Sequence, residues 1–377
     1  MRGGGGNFKS FMDEFMPKDG LVNILSPRSI NMRLLSLFRG RSIRSLVGSI
    51  TTVALAGMAS PSFGGIVTFG SGSNQFNMEF VTIGNPGNAP DSTGDPNPAG
   101  RVDYTYDIGK FEVSRDLVTK YNSNSGVVAI TLDPMSGISG GTGVNRPATG
   151  ITWNEAARFV NWLNTSTGGS AAYKFTTGGS NDNIALWTAA DTLDFDATNP
   201  YRSKRAKYVL PSYNEWYKAA FYDPNKSGGA GYWDYATGSD TAPTSVTGGT
   251  TANTAVYKRL LNVGPADVTN AGGLSPYDVM GLNGNVAEWE ESSLDLSNSS
   301  VSSDRGHRGG AWTSSDAFDL SSAGRYNDAP DYDDGGLGFR VAMVTPSAPP
   351  AVPEPSMMVI GTLFGLGGLV AKRRMKK

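Results

Sequence analysis

Four groups of residues in this chain can do chemistry by type and spacing. Tyr232-Trp233-Asp234-Tyr235 sets three aromatic rings beside a carboxylate in a glycine-flanked stretch, an arrangement able to stack on a sugar face. Core packing is the plainer alternative. Asp91 with Asp95, and Asp331 with Asp333 and Asp334, are acidic clusters that read as solvated turns or as metal sites, the turns being simpler. Arg308, Arg325 and Arg340 carry planar forks that pin loops through paired hydrogen bonds or clamp an anionic ligand; the pinning role leads. Last is His307 between Gly306 and Arg308, which reads as an exposed loop residue.

Two absences narrow the choice. With no cysteine among 377 residues, disulfides, cysteine–zinc sites, iron–sulfur clusters and thiol nucleophiles are excluded. With one histidine, His-rich zinc or non-haem iron centres are excluded too. A serine–histidine–aspartate triad would have to use His307.

The elements that must position these groups show best as helix starts. Thr152-Trp153-Asn154-Glu155 is a capping box, and Ala156, Phe159, Val160 and Leu163 behind it give one apolar face. Ser212-Tyr213-Asn214-Glu215 repeats the pattern, with Trp216, Ala219 and Ala220 as the buried side and Asp223-Pro224 as the stop. Ser114 caps a weaker third helix through Tyr121. Strands are expected at Tyr104–Ile108, Tyr208–Leu210 and Phe339–Val344, with long loops over 165–200 and 224–255. Trp153, Trp216, Trp289 and Trp312 read as core. The 49 glycines and 21 prolines stay below the share of about 25–30% that marks low-complexity disorder.

Charge is segregated along the chain. Residues 1–59 hold 8 Lys/Arg against 3 Asp/Glu, residues 60–345 hold 19 against 30, and residues 346–377 hold 5 against 1. An acidic body argues against nucleic acid as a partner, because phosphate neutralisation needs clustered Lys and Arg. The basic residues instead flank apolar segments. Arg33, Arg39, Arg41 and Arg44 precede the apolar run from Leu46 to Ala56 and the small residues Gly57, Ala59 and Ser60, the order of a secretory signal peptide over 32–59. Residues 1–31 are then an extra leader or a mis-assigned start.

At the other end, a Pro-rich linker and Pro353-Glu354-Pro355-Ser356 occupy 346–356, and an apolar run from Met357 to Ala371 with a basic tail occupies 357–377. Fifteen helical residues span about 22 Å, short of the roughly 30 Å of a bilayer core. This tripartite end resembles the PEP-CTERM sorting signal of Gram-negative bacteria. The resemblance implies an exosortase-type processing partner, transient anchoring of the C-terminal helix in the inner membrane, and delivery to the outer surface or extracellular matrix.

Further motifs run through residues 60–345. They are Ile83-Gly84-Asn85-Pro86-Gly87-Asn88, Ile108-Gly109-Lys110-Phe111-Glu112-Val113, Trp153-Asn154-Glu155-Ala156-Ala157 and Leu210 to Trp216. Gly284-Asn285-Val286-Ala287-Glu288-Trp289, Arg308-Gly309-Gly310-Ala311-Trp312 and Gly338-Phe339-Arg340-Val341-Ala342 follow. The ordered set resembles the formylglycine-generating enzyme, or sulfatase-modifying factor, family. It implies an α+β, loop-rich, C-type lectin-like fold with two main helices and small antiparallel sheets.

The same resemblance raises two site questions. The family's copper-binding cysteines fall, without gaps, at Ser314 and Asp319. A hydroxyl and one carboxylate are a poor substitute for thiolates at Cu(I), so the family's oxidation of a substrate cysteine is excluded here. The family's calcium loop maps to Glu288 and the carbonyls of Gly284 and Val286. The upstream oxygen ligand is replaced by Gly281, leaving Asn283, Asp278 or water to serve. The alternative for Glu288 is a buried ion pair with Arg308 or Arg340. No copper, iron or zinc is expected, and calcium would be structural.

Three readings follow. The leading one is an exported, non-catalytic surface or matrix protein that uses this scaffold to bind a glycan or protein ligand. The second is an enzyme of cysteine-independent chemistry, with Asp316, Asp319 and Asp331 around the former active-site cleft. The third is a purely structural matrix component.

Overall fold

The computed structural model describes residues 64–260 and 262–347. The expected leader, signal peptide and C-terminal anchor, and all but the first two residues of the Pro-rich linker, lie outside the described residues.

Local sequence explains the helices. Ser114 caps α1 (Arg115–Asn122) by accepting from Leu117 N. Thr152 and Glu155 form a two-way capping box on α2 (Trp153–Ser166). The strand β1 (Gly65–Phe69) turns into β2 (Phe76–Ile83), and β3 (Tyr106–Gly109) follows before α1. After α2 come β4 (Tyr208–Val209) and α3 (Tyr213–Phe221), whose Ser212–Glu215 box is also closed in both directions. The region after α3 holds only two-residue pairs, β5 (Tyr222–Asp223) with β6 (Gly231–Tyr232) and β7 (Thr244–Ser245) with β8 (Thr254–Ala255). The last third supplies β9 (Ala287–Ser293), β10 (Arg305–Arg308), β11 (Arg325–Asp328), β12 (Leu337–Gly338) and β13 (Ala342–Met343).

Two sheets organise these strands. The first runs β1-β2-β3-β13-β4, all antiparallel, so the last strand is inserted between β3 and β4 and ties the two ends of the body together. The second runs β11-β10-β9-β12, antiparallel except for the parallel β9–β12 pair. Helix α2 buries Phe159 against Phe76, Tyr121 and Phe339, with ring centroids 6.2, 5.3 and 5.5 Å apart. Truncating that ring to alanine removes a contact of the class that costs roughly 3–5 kcal/mol.

The α+β, loop-rich architecture with two main helices and small sheets is the expected one. Two details differ. The expected Phe339–Val344 strand contracts to Ala342–Met343, because Arg340 turns into the core and donates to Gly109 O. Strands β9, β10 and β11 carry no apolar alternation to announce them; three of the seven residues in β9 are glutamates, all buried.

Candidate functional site

Strand β9 is a buried row of acids, each matched from elsewhere in the chain. Glu288 receives both Nε and Nη2 of Arg340 at 2.5 Å, and Trp216 Nε1 at 2.6 Å. Glu290 receives Arg308 Nε at 2.6 Å and Arg325 Nε at 2.9 Å. Burial alone would raise its pKa, but Arg325 and Arg308 hold the carboxyl below the usual range. Glu291 receives Arg202 Nη2 at 2.7 Å and Tyr173 Oη at 2.9 Å. Arg202 also reaches Glu215 at 3.2 Å, the acid that closes the cap of α3. Gly306 is where β10 crosses the Glu290–Arg325 pair; a Cβ there would sit 2.2 Å from Glu290 Oε2. Arg308 and Arg325 therefore hold β10 and β11 to β9, and Arg340 ties β9 to Gly109 and Met280.

Residues of this sheet line a cavity of about 200 Å³. Ser314 and Asp319, five residues apart, share its wall with His307, Tyr326 and Asp328. Ser314 Oγ accepts from Ala311 N at 3.0 Å, and Asp319 Oδ1 accepts from Tyr326 Oη at 2.6 Å. The hydrogen bond to Asp319, with burial and the neighbouring acids, pushes the Tyr326 phenol up to about 12. His307 is not an exposed loop residue. It is a β10 residue with its side chain 13% exposed, and its Nε2 lies 2.9 Å from Asp328 Oδ2. Its ring sits between Trp289 and Tyr326. Burial lowers its pKa, partly offset by Asp328. Pairing of β10 with both neighbours creates this setting, and nothing local in Gly306-His307-Arg308 reveals it.

The remaining candidates are dispersed. Tyr232 packs on Tyr217 and Tyr222, and Asn88 Nδ2 donates to its hydroxyl at 2.6 Å. Trp233 carries Lys226 Nζ 4.0 Å over its ring and donates to Asp223 at 3.1 Å. Tyr235 packs on a separate small cluster, and Asp234 is exposed. These four residues do not form one open platform. Asp91 is not a solvated turn residue: it is buried and accepts from Tyr217 Oη at 2.6 Å. Asp316 caps a short helical turn by accepting from Phe318 N, and Asp331 is exposed. Among the described residues no three acids and histidines gather closely enough to hold a metal ion.

The Sulfatase-modifying factor enzyme 1-like domain matches residues 64–345, three quarters of the chain. The chain belongs to that family. Among solved structures, Treponema denticola variable protein 1 shares 21% identity, covers 74% of this chain and 98% of its own, and superposes with a TM-score of 0.48. CarF shares 17% identity over 71% of this chain and 98% of its own, with a TM-score of 0.47. PvdO from Pseudomonas aeruginosa shares 18% identity over 74% and 98%, with a TM-score of 0.43. Among curated proteins none matches.

As a member of the sulfatase-modifying factor family, the chain would be expected to hold calcium at Gly284, Val286, Glu288 and Asn283. The residues present do not fit the ion. Both Glu288 oxygens are taken by a guanidinium, which would repel a second cation. Of the named side chains, only Asn283 Oδ1 is buried without a donor among the described residues, and Ca²⁺ needs six to eight oxygens. The place of the missing upstream ligand is filled from the segment between β3 and α1. A Cβ on Gly281, at φ +79°, would lie 2.9 Å from Glu112 Cδ. Glu112 itself accepts from Asn285 Nδ2 at 2.7 Å and Val286 N at 3.3 Å. Burial, then the charge of Glu288, pushes its pKa well above the usual carboxylate range. Sequence reasoning passed over Glu112; the available signal was an acid standing between Phe111 and Val113.

Proposed function

We propose that this chain is an exported, non-catalytic member of the sulfatase-modifying factor family that binds a ligand in the cavity beside His307. One observation carries the reading. The two positions matching the family's cysteines, Ser314 and Asp319, line one concave site whose other walls bear polar and aromatic groups suited to holding a ligand. Thiol chemistry has no parts here, since the chain contains no cysteine. The basic–apolar–small order of residues 32–59 and the Pro-Glu-Pro, apolar, basic end support export to a bacterial surface or matrix. On this reading an exosortase-type enzyme processes the C-terminus.

The test is a thermal-shift and calorimetric screen of the purified protein against small molecules, glycans and peptides, repeated with Ser314→Trp to fill the cavity. Binding that disappears in that variant supports the reading. Failure of every class to bind, or conversion of a peptide cysteine to an aldehyde, would overturn it.

A further inference from the structure

We infer that the cavity beside His307 accepts an organic cation, an ammonium or guanidinium group on a stem no larger than an amino-acid side chain. This rests on the reading of that cavity as a ligand site and specifies what it takes. Three carboxylates, Asp319, Asp328 and Asp334, line it together with Tyr326 and Tyr332, and no lysine or arginine does. Each acid has one oxygen engaged within the protein. Asp319 Oδ1 accepts from Tyr326, Asp328 Oδ2 faces His307, and Asp334 Oδ1 accepts from Gly336 N at 2.7 Å. Asp319 Oδ2, Asp328 Oδ1 and Asp334 Oδ2 make no hydrogen bond within the described residues. The nearby guanidiniums of Arg308 and Arg325 are both committed to Glu290.

The imidazole of His307 fixes Asp328 on the same wall. With Nε2–H directed at Asp328, Nδ1 is an acceptor, and it is buried without a donor among the described residues. The free carboxylate oxygens call for a ligand that donates several hydrogen bonds; Nδ1, closed off from the cavity, is not one of its acceptors. Tyr326 and Tyr332 are 43% and 44% exposed as residues, so their rings offer surface on which a cation is attracted.

Other ligand classes fit worse. Phosphate, sulfate or carboxylate would face like charges. A neutral sugar would leave the carboxylates without countercharge. A divalent metal needs converging ligands, whereas here no three metal-binding side chains come together among the described residues. An ammonium or guanidinium group reaches separated oxygens with separate N–H bonds. A volume of about 200 Å³ is below the usual range for drug-sized ligands, about 300–1,000 Å³, and suits one side-chain-sized group.

Calorimetry on the purified protein with n-butylammonium, n-butylguanidinium, glucose and acetate tests this. A lysine-bearing pentapeptide and its norleucine counterpart form a second arm. The two cations should bind, and at least about tenfold more weakly in Asp319→Asn and in Tyr332→Ala, the second variant guarding against misfolding of the first. Lysine-peptide binding above that of butylammonium, with none for the norleucine peptide, identifies a polypeptide source; equal binding identifies a free amine. Glucose or acetate binding that is lost in Ser314→Trp while the cations do not bind overturns the cation inference but keeps the binding site. Absence of any cavity-dependent binding overturns both.

Discussion

Arg340 and Glu288, 52 positions apart in the chain, meet inside the protein with both partners fully buried. Their contact is two-pronged, and the other donors of Arg340 go to Gly109 O and Met280 O at 2.8 and 2.9 Å. One side chain thereby links β9, the end of β3 and the loop that carries Gly281. A buried pair of this kind adds little net stability compared with an apolar core, but losing one partner strands a charge.

Replacing Arg340 with Met should therefore destabilise the protein by about 3–5 kcal/mol in chemical denaturation. Arg340→Lys should recover only part of this, since an ammonium cannot reproduce the fork. The double variant Glu288→Gln/Arg340→Met should lose less than the two single losses added together. A single Arg340→Met variant as stable as the parent would refute this account of the core.

Calcium should be without effect on folding. Adding millimolar CaCl₂ or EGTA should leave the melting temperature unchanged, because the Glu288 carboxylate is already held by Arg340. Restoring a ligand-type side chain by Gly281→Asn should lower stability, since its Cβ would press on Glu112 at a backbone angle that disfavours side chains. A rise of several degrees on calcium addition would contradict the geometry.

Acid should weaken the fold through His307. Its folded pKa lies below the ordinary 6.5, so the unfolded chain takes up the proton more readily. The associated stability is fully present above pH 6.5 and is lost as pH falls through the folded value. Denaturation midpoints followed across this range should fall on acidification, and His307→Gln should flatten the slope.

Glu112 should act in the opposite direction. Its folded pKa is raised, first by burial and then by Glu288, so its contribution is present below the ordinary 4.5 and is lost as pH rises through the folded value. Glu112→Gln should remove that part of the alkaline loss. An unchanged pH profile in the variant would show that the carboxyl is ionised throughout.

The helix caps offer a local check. Thr152→Ala and Ser212→Ala should each cost about 0.5–2 kcal/mol in denaturation experiments. The first should be the larger, because Thr152 Oγ1 both accepts from Glu155 N at 3.1 Å and donates to Glu155 Oε2 at 3.3 Å, whereas Ser212 Oγ only accepts from Glu215 N at 3.3 Å. Equal, negligible losses would mean that tertiary contacts alone hold α3.

Much of the helical frame was legible because its signals are short-range. A hydroxyl three residues before a glutamate and an apolar face at helical spacing suffice to place α2 and α3. The second sheet was not legible. Its central strand, Ala287–Ser293, reads as a polar surface segment, and only the arriving Arg340, Arg308, Arg325 and Arg202 make its burial tolerable. The same holds for Tyr232 to Tyr235, whose rings look like one patch in the chain but are drawn to separate neighbours in the fold.

By itself the sequence determined which reactions are closed to this protein, because a missing element of chemistry needs no coordinates: without a thiol there is no thiolate. It also determined the order of motifs and the helix starts, which depend on residues adjacent in the chain. Tertiary structure alone decided that Glu288 faces a guanidinium, and that Ser314, Asp319 and His307 share one cavity. Those outcomes depend on strands and loops far apart in sequence, whose pairing no local pattern encodes.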